Sequence, residues 1–111
     1  MAGLQDYREF KLDRTLTAED FMIEHQSGIS NDLTEFIKAC LVTGFKQEKT
    51  LIGVSLFMLT HLPQLKEGSS WLCTINPEQI ETGLAYHCER DIHISFINKD
   101  KRYFITLAQT L

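Results

Sequence analysis

The chain has 111 residues, of which 43% are hydrophobic and 23% are charged. These proportions are ordinary for a folded protein and argue against a disordered chain. The length suits a single domain, residues 1–111, that buries its own core. No apolar run reaches the ~18–20 residues of a membrane-spanning helix, and the first residues lack the apolar stretch of a secretory signal. We therefore expect a soluble cytoplasmic domain.

The three cysteines, Cys40, Cys73 and Cys88, agree with a reducing compartment, because their number is odd and no two form a CxxC pair. The net charge of −4 disfavours a nucleic-acid-binding protein, since phosphate contacts need a basic surface. The charge is uneven along the chain. The first 35 residues hold eight acidic and three basic side chains, a net charge of −5.

The predicted elements begin with a strand over Tyr7–Leu16, where apolar residues recur at even positions with charged residues between them. A first helix is predicted from Thr17, which can cap it. Asp20 stands at the third helical position, and Gly28 ends the helix.

A second helix is predicted to start near Asp32, with Glu35 at the spacing of a capping box, and to end at Gly44. The segment Thr50–Leu62 is almost continuously apolar, so periodicity alone cannot separate a buried helix from a buried strand. Its length and its leucine and methionine content favour a third helix, which Pro63 would end. The alternative is an additional strand.

The last third of the chain reads as β structure. The pattern predicts a strand at Trp71–Ile75, a short helical turn over Asn76–Gly83, and three strands at Leu84–Glu89, Ile92–Ile97 and Arg102–Leu107. Turns are predicted near Arg90–Asp91 and at Lys99–Asp100. The chain is therefore predicted to be α+β, with an N-terminal strand and about three helices packed on one face of a C-terminal antiparallel meander of about four strands.

A two-residue turn at Lys99–Asp100 fixes the register of the last hairpin, with Ile97 opposite Arg102. One face of that hairpin is then apolar and is predicted to pack on the helices: Ile92, Ile94, Phe96, Tyr103, Ile105 and Leu107. The opposite face is mixed, and exposed Ile97 and Phe104 there would suit a homodimer interface.

Four residues of types that bind zinc fall close together, namely Cys73, His87, Cys88 and His93. A turn at Arg90–Asp91 would set Cys88 opposite His93, but no third ligand is evident. We therefore predict no metal and no cofactor. A small enzyme or ligand-binding domain that uses the Cys88/His93 pair is kept as an alternative.

The acidic first third is the strongest functional signal. It predicts a protein partner with a basic surface, contacted by Asp13, Glu19, Asp20, Glu24, Asp32 and Glu35. The leading hypothesis is a non-enzymatic inhibitor or immunity-type protein that occludes such a partner, for example a nuclease. The alternatives are a structural or chaperone-like homodimer, and acidic residues that serve only helix capping and solubility.

Overall fold

Residues 9–64, 68–77 and 88–110 are described by a computed structural model. A 3-10 turn at Ala18–Asp20 precedes strand β1 (Met22–Ser27), helices α1 (Asn31–Gln47) and α2 (Leu51–His61), and strands β2 (Trp71–Asn76), β3 (Cys88–Asn98) and β4 (Lys101–Thr110). The strands form one antiparallel sheet in the order β1-β3-β4-β2. The α+β class is confirmed, with two helices among the described residues.

The β3–β4 hairpin has the predicted register. Ile97 pairs with Arg102, and the pairing continues without a shift to Ile92 and Leu107. Lys99 and Asp100 form the two-residue turn with φ of 53° and 62°, the left-handed conformation that matches the twist of a hairpin. Five of the six predicted core-face side chains are fully buried, and Tyr103 is half-buried.

The turn predicted at Arg90–Asp91 is wrong, because β3 runs unbroken from Cys88 to Asn98. Asp91 pairs with Ala108 on one side and with Ser27 on the other, so this polar residue lies inside the sheet. Of the predicted strand Leu84–Glu89, only the last two residues are described, and they belong to β3. The helical turn over Asn76–Gly83 lies outside the described residues after residue 77, and Asn76 itself ends β2.

The first predicted helix is also wrong. Thr17 and Asp20 do form the expected capping box, but the helical turn lasts only three residues, and the chain enters β1 at Met22. Pairing with β3 supplies the backbone hydrogen bonds that a helix would have made, so tertiary contacts override the local capping signal. Gly28, with φ of 68°, turns the chain from β1 toward α1.

The strand predicted over Tyr7–Leu16 is wrong for residues 9–16, which form an irregular arm with no strand pairing. The Phe10 amide donates to the Lys49 carbonyl at 2.6 Å. The Phe10 ring lies 5.9 Å from the Phe45 ring and 5.1 Å from the Tyr103 ring. The alternating apolar residues of the arm therefore pack against an existing core, which explains why they resemble a half-buried strand.

Asn98 fastens this arm to the hairpin. Its side chain is buried; it accepts a hydrogen bond from the Asp13 amide at 2.8 Å and donates one to the Lys11 carbonyl at 2.9 Å. Asp13 in turn accepts from the Lys99 amide at 2.8 Å, beside the turn. The side-chain amide thus satisfies two backbone groups of a segment that has no strand of its own to bond.

Both helices pack on the apolar face of the sheet, with α2 against β2. Ser30 caps α1 through the Leu33 amide, and the helix continues past Gly44 to Gln47, so the predicted end at Gly44 is wrong. A methyl group on Gly44 would lie 3.0 Å from the Phe57 ring; the glycine therefore lets α2 approach closely. The segment Thr50–Leu62 is a helix as predicted, capped by Thr50.

The opposite face of the sheet, called the open face below, carries no layer among the described residues. Every large side chain of the sheet that is fully buried lies on the helix side. An antiparallel sheet tolerates this, because alternate side chains can face water. In the described ranges, no helix has the length and apolarity needed to cross a bilayer.

Replacing Asn98 by alanine should lower the free energy of unfolding by about 1–3 kcal/mol, because the Asp13 amide and the Lys11 carbonyl lose their partner. Urea unfolding measures this change. Asn31→Ala, at the exposed first residue of α1, is the matched control and should change stability by less than about 0.5 kcal/mol. Equal effects of the two substitutions would show that Asn98 does not hold the arm.

Candidate functional site

The predicted Cys88/His93 pair is not formed across a turn. Both residues lie on β3, five positions apart, and the strand continues between them. Burial raises the pKa of the Cys88 thiol, and the Asp91 carboxylate raises it further. Both effects disfavour the thiolate that a nucleophile needs. His87, the other histidine of the predicted group, lies outside the described residues.

A bulge in β1 concentrates polar groups on the open face. The register between β1 and β3 shifts between Ile23 and His25. Successive strand residues normally point to opposite faces, but a bulge lets two of them share one. Glu24 and His25 accordingly both contact open-face residues of the sheet.

The first of these contacts is a buried hydroxyl between opposite charges. Ser95, which is fully buried, donates its hydroxyl hydrogen to Glu24 Oε2. Arg102 donates to the same carboxylate oxygen at 3.3 Å and to the Ser95 oxygen at 3.1 Å. The charge of Glu24 is therefore balanced within the chain, and the group links β1, β3 and β4.

The second contact joins two histidines to one carboxylate. His93 Nε2 lies 3.0 Å from Asp91 Oδ2, and His25 Nε2 lies 3.8 Å from the same oxygen. A carboxylate only accepts, so His93 Nε2 is the donor. Within the described residues, no three His, Cys, Asp or Glu side chains are arranged to hold a metal ion. We interpret the cluster as a group of polar contacts that links β1 to β3.

The predicted partner-binding carboxylates fall on separate elements. Asp13 and Asp20 come together around Arg14, at 3.2 Å and 3.0 Å. Asp20 also accepts from the Thr17 amide at 2.7 Å. That backbone hydrogen bond, followed by the Arg14 hydrogen bond, lowers the pKa of Asp20. These two carboxylates therefore hold the arm and the 3-10 turn in place.

The remaining predicted carboxylates face water. Glu19 is exposed beside the 3-10 turn, and Asp32 and Glu35 are exposed in the first two turns of α1. Acidic side chains at a helix start are favoured by the helix dipole, which accounts for Asp32. Glu35 lies 3.7 Å from Lys38, one turn further along. The six residues thus lie on the arm and 3-10 turn, on β1 and on α1.

The two edges of the sheet differ sharply. β1 carries a bulge and polar side chains that are mostly exposed, which are the features that protect an edge from unwanted pairing. β2 is regular: all six residues pair with β4 in one register, and its sequence, WLCTIN, holds no charge and no proline. Among the described residues no strand lies on its other side.

The composition of β2 is therefore typical of a strand that is paired on both sides, although within residues 9–64, 68–77 and 88–110 it pairs on one side only. Nothing in the local sequence reveals this conflict, because strand order depends on long-range pairing. The His25–Asp91 contact was missed for a related reason: β1 was predicted to be helical. Both features become visible only when the sheet is assembled.

No protein-family model matches the chain, and no curated protein matches it.

Replacing Asp20 by asparagine should destabilise the protein near neutral pH and matter less in acid. Folding lowers the pKa of Asp20. Its contribution to the free energy of unfolding is therefore fully present above the pKa of the unfolded state, and it is lost as the pH falls through the pKa of the folded state. The unfolding free energies of the unaltered protein and of the Asp20→Asn variant, measured from about pH 7 down to about pH 2, should converge as the pH falls. Glu19→Gln removes the same charge one residue away and is the control. A constant difference at every pH would contradict this role of Asp20.

The three thiols should react at different rates. Burial raises the pKa of the Cys73 thiol to about 12, against a smaller opposing hydrogen bond with Ser55, and burial also raises the pKa of Cys40. At pH 7, Cys73 should hold roughly a thousandfold less thiolate than a free cysteine and should be alkylated slowest. Mass spectrometry after iodoacetamide treatment measures each rate, with urea-unfolded protein as the control. Labelling of Cys73 as fast as in urea would show that it is not buried.

Proposed function

We propose that the chain is a protein-interaction module rather than an enzyme, and that it binds an extended segment of a partner protein alongside β2. The observation that carries the proposal is the contrast between the two sheet edges. β1 has the protective features of an edge, whereas β2 has no bulge and no charged residue, and no strand lies on its outer side among the described residues. An uncovered, regular and uncharged edge strand is a template for pairing with another chain.

The backbone of β2 supplies the binding energy in this proposal. In an antiparallel ladder, roughly half of the residues of an edge strand direct their N–H and C=O groups away from the neighbour. A partner strand would satisfy those groups with main-chain hydrogen bonds, whatever its own sequence. Side chains at alternate positions of the partner would then provide selectivity.

The rigidity of β2 favours such binding. Trp71 and Ile75 are buried, and the Trp71 indole donates to the Pro63 carbonyl at 2.7 Å. On the helix side, Cys73 contacts Ser55 of α2. A strand already held at both ends loses little conformational freedom when a partner pairs with it. The partner segment can come from another protein or from a second copy of this chain.

A cytoplasmic location is part of the proposal. The three cysteines are free thiols, as expected for a chain that works in a reducing compartment.

An acidic surface that occludes a basic partner is the second candidate. Its support is the exposure of Glu19, Asp32 and Glu35. The other three predicted carboxylates are already paired with arginines of the same chain, which leaves less charge for a partner. This candidate requires affinity for a partner to fall steeply with ionic strength, whereas strand pairing requires little salt dependence.

A lysine on β2 should weaken binding strongly, while the same change on β1 should not. Peptides selected on the immobilised chain from a random display library are the probe, and their affinities are measured by calorimetry. Thr74→Lys, on the open face of β2, should weaken binding about tenfold or more, because edge lysines oppose strand pairing. Ser27→Lys on β1 is the matched control and should leave affinity unchanged.

Two results would overturn the proposal. One is a failure to select any peptide that binds the folded chain. The other is an equal loss of affinity with Thr74→Lys and Ser27→Lys, which would place binding away from β2. Sedimentation of the free chain shows separately whether the partner is a second copy, since a dimer should then dissociate with Thr74→Lys alone.

A further inference from the structure

A cleft lies between the N-terminal arm and α1. The arm contributes Leu12, Arg14 and Leu16, and the last turns of α1 contribute Val42, Phe45 and Lys46. Its volume is about 380 Å³, within the range of small-molecule sites in proteins. Nothing in the proposed function uses this cleft.

The floor of the cleft is apolar. Leu16 and Phe45 are buried core residues with 2% and 6% of their surfaces exposed. Leu12 and Val42 are half-buried and pack against the same core. An apolar molecule in the cleft would cover the parts of Leu12 and Val42 that water now reaches, which is the ordinary driving force for small-ligand binding.

The charges at the mouth are not equally available. The Asp13 carboxylate is occupied by the Lys99 amide and by Arg14, and Arg14 is also paired with Asp20. Lys46 is exposed, and within the described residues it has no ion pair. The end of α1 adds only about half a negative charge, so the full positive charge of Lys46 prevails there.

We propose that this cleft binds a small amphiphile of roughly ten to fifteen non-hydrogen atoms in all, with an apolar body and one anionic group that contacts Lys46. The apolar body contacts mainly Leu12 and Val42, above the buried Leu16 and Phe45. A medium-chain carboxylate has this chemistry. The site is independent of strand pairing at β2, so either proposal can fail without the other.

Sodium octanoate is the probe, titrated into the isotopically labelled full chain and followed by amide chemical shifts. Saturable shifts should map to residues 12–16 and 42–46, with a dissociation constant on the order of 1 mM for a ligand of this size. Lys46→Met keeps the aliphatic stem but removes the charge, and should weaken octanoate about fivefold. Lys49→Met makes the same change outside the cleft and should have no effect.

A neutral probe separates the two parts of the proposal. 1-Octanol should bind the unaltered chain more weakly than octanoate and should not respond to Lys46→Met. Val42→Phe should displace both ligands, because the added ring occupies the cleft. The proposal is overturned by unsaturable or scattered shifts, by equal effects of Lys46→Met and Lys49→Met, or by octanol binding as tightly as octanoate.

Discussion

The register of the β3–β4 hairpin is the constraint on which the rest of the structure depends. The two-residue turn at Lys99–Asp100 sets that register, and a slip of one residue would move the whole apolar face to the opposite side. β1 attaches to the outer side of β3, and β2 attaches to the outer side of β4. The helices cover the apolar face, and the arm is fastened to the hairpin through Asn98. Each of these contacts requires the hairpin to have this register.

The sequence predicts most accurately the elements whose signals are local and agree with the tertiary contacts. The hairpin is one, because its turn chemistry and its alternation indicate the same face. The helix over Leu51–His61 is another, since its length and caps agree with its burial. The prediction fails where a local sequence signal forms the expected contact but does not determine the structure of the residues that follow. Thr17 caps a turn, yet β1 gains more by pairing with β3 than by continuing that turn as a helix.

The functional features are harder to predict, because they arise from the order of the strands. Neither the position of β2 at the end of the strand order of the described residues nor the meeting of His25 with Asp91 has a local signature. The charge asymmetry, by contrast, is evident in the sequence. In the structure, however, the carboxylates of the acidic first third make separate contacts. Asp20 caps a turn, Asp13 binds the hairpin and Glu24 ties three strands together, so their shared sign does not make them one surface.

The proposed function requires that the outer edge of β2, which pairs with no other strand among the described residues, be free in the isolated chain. Amide hydrogen exchange of the six β2 residues, measured by NMR on the isolated monomer, tests this requirement most directly. The proposal predicts alternating protection: amides bonded to β4 exchange slowly, and the intervening amides, which point away from β4, exchange nearly as fast as in an unfolded chain. Uniform slow exchange along Trp71–Asn76 would show that the edge is already covered and would contradict the proposal.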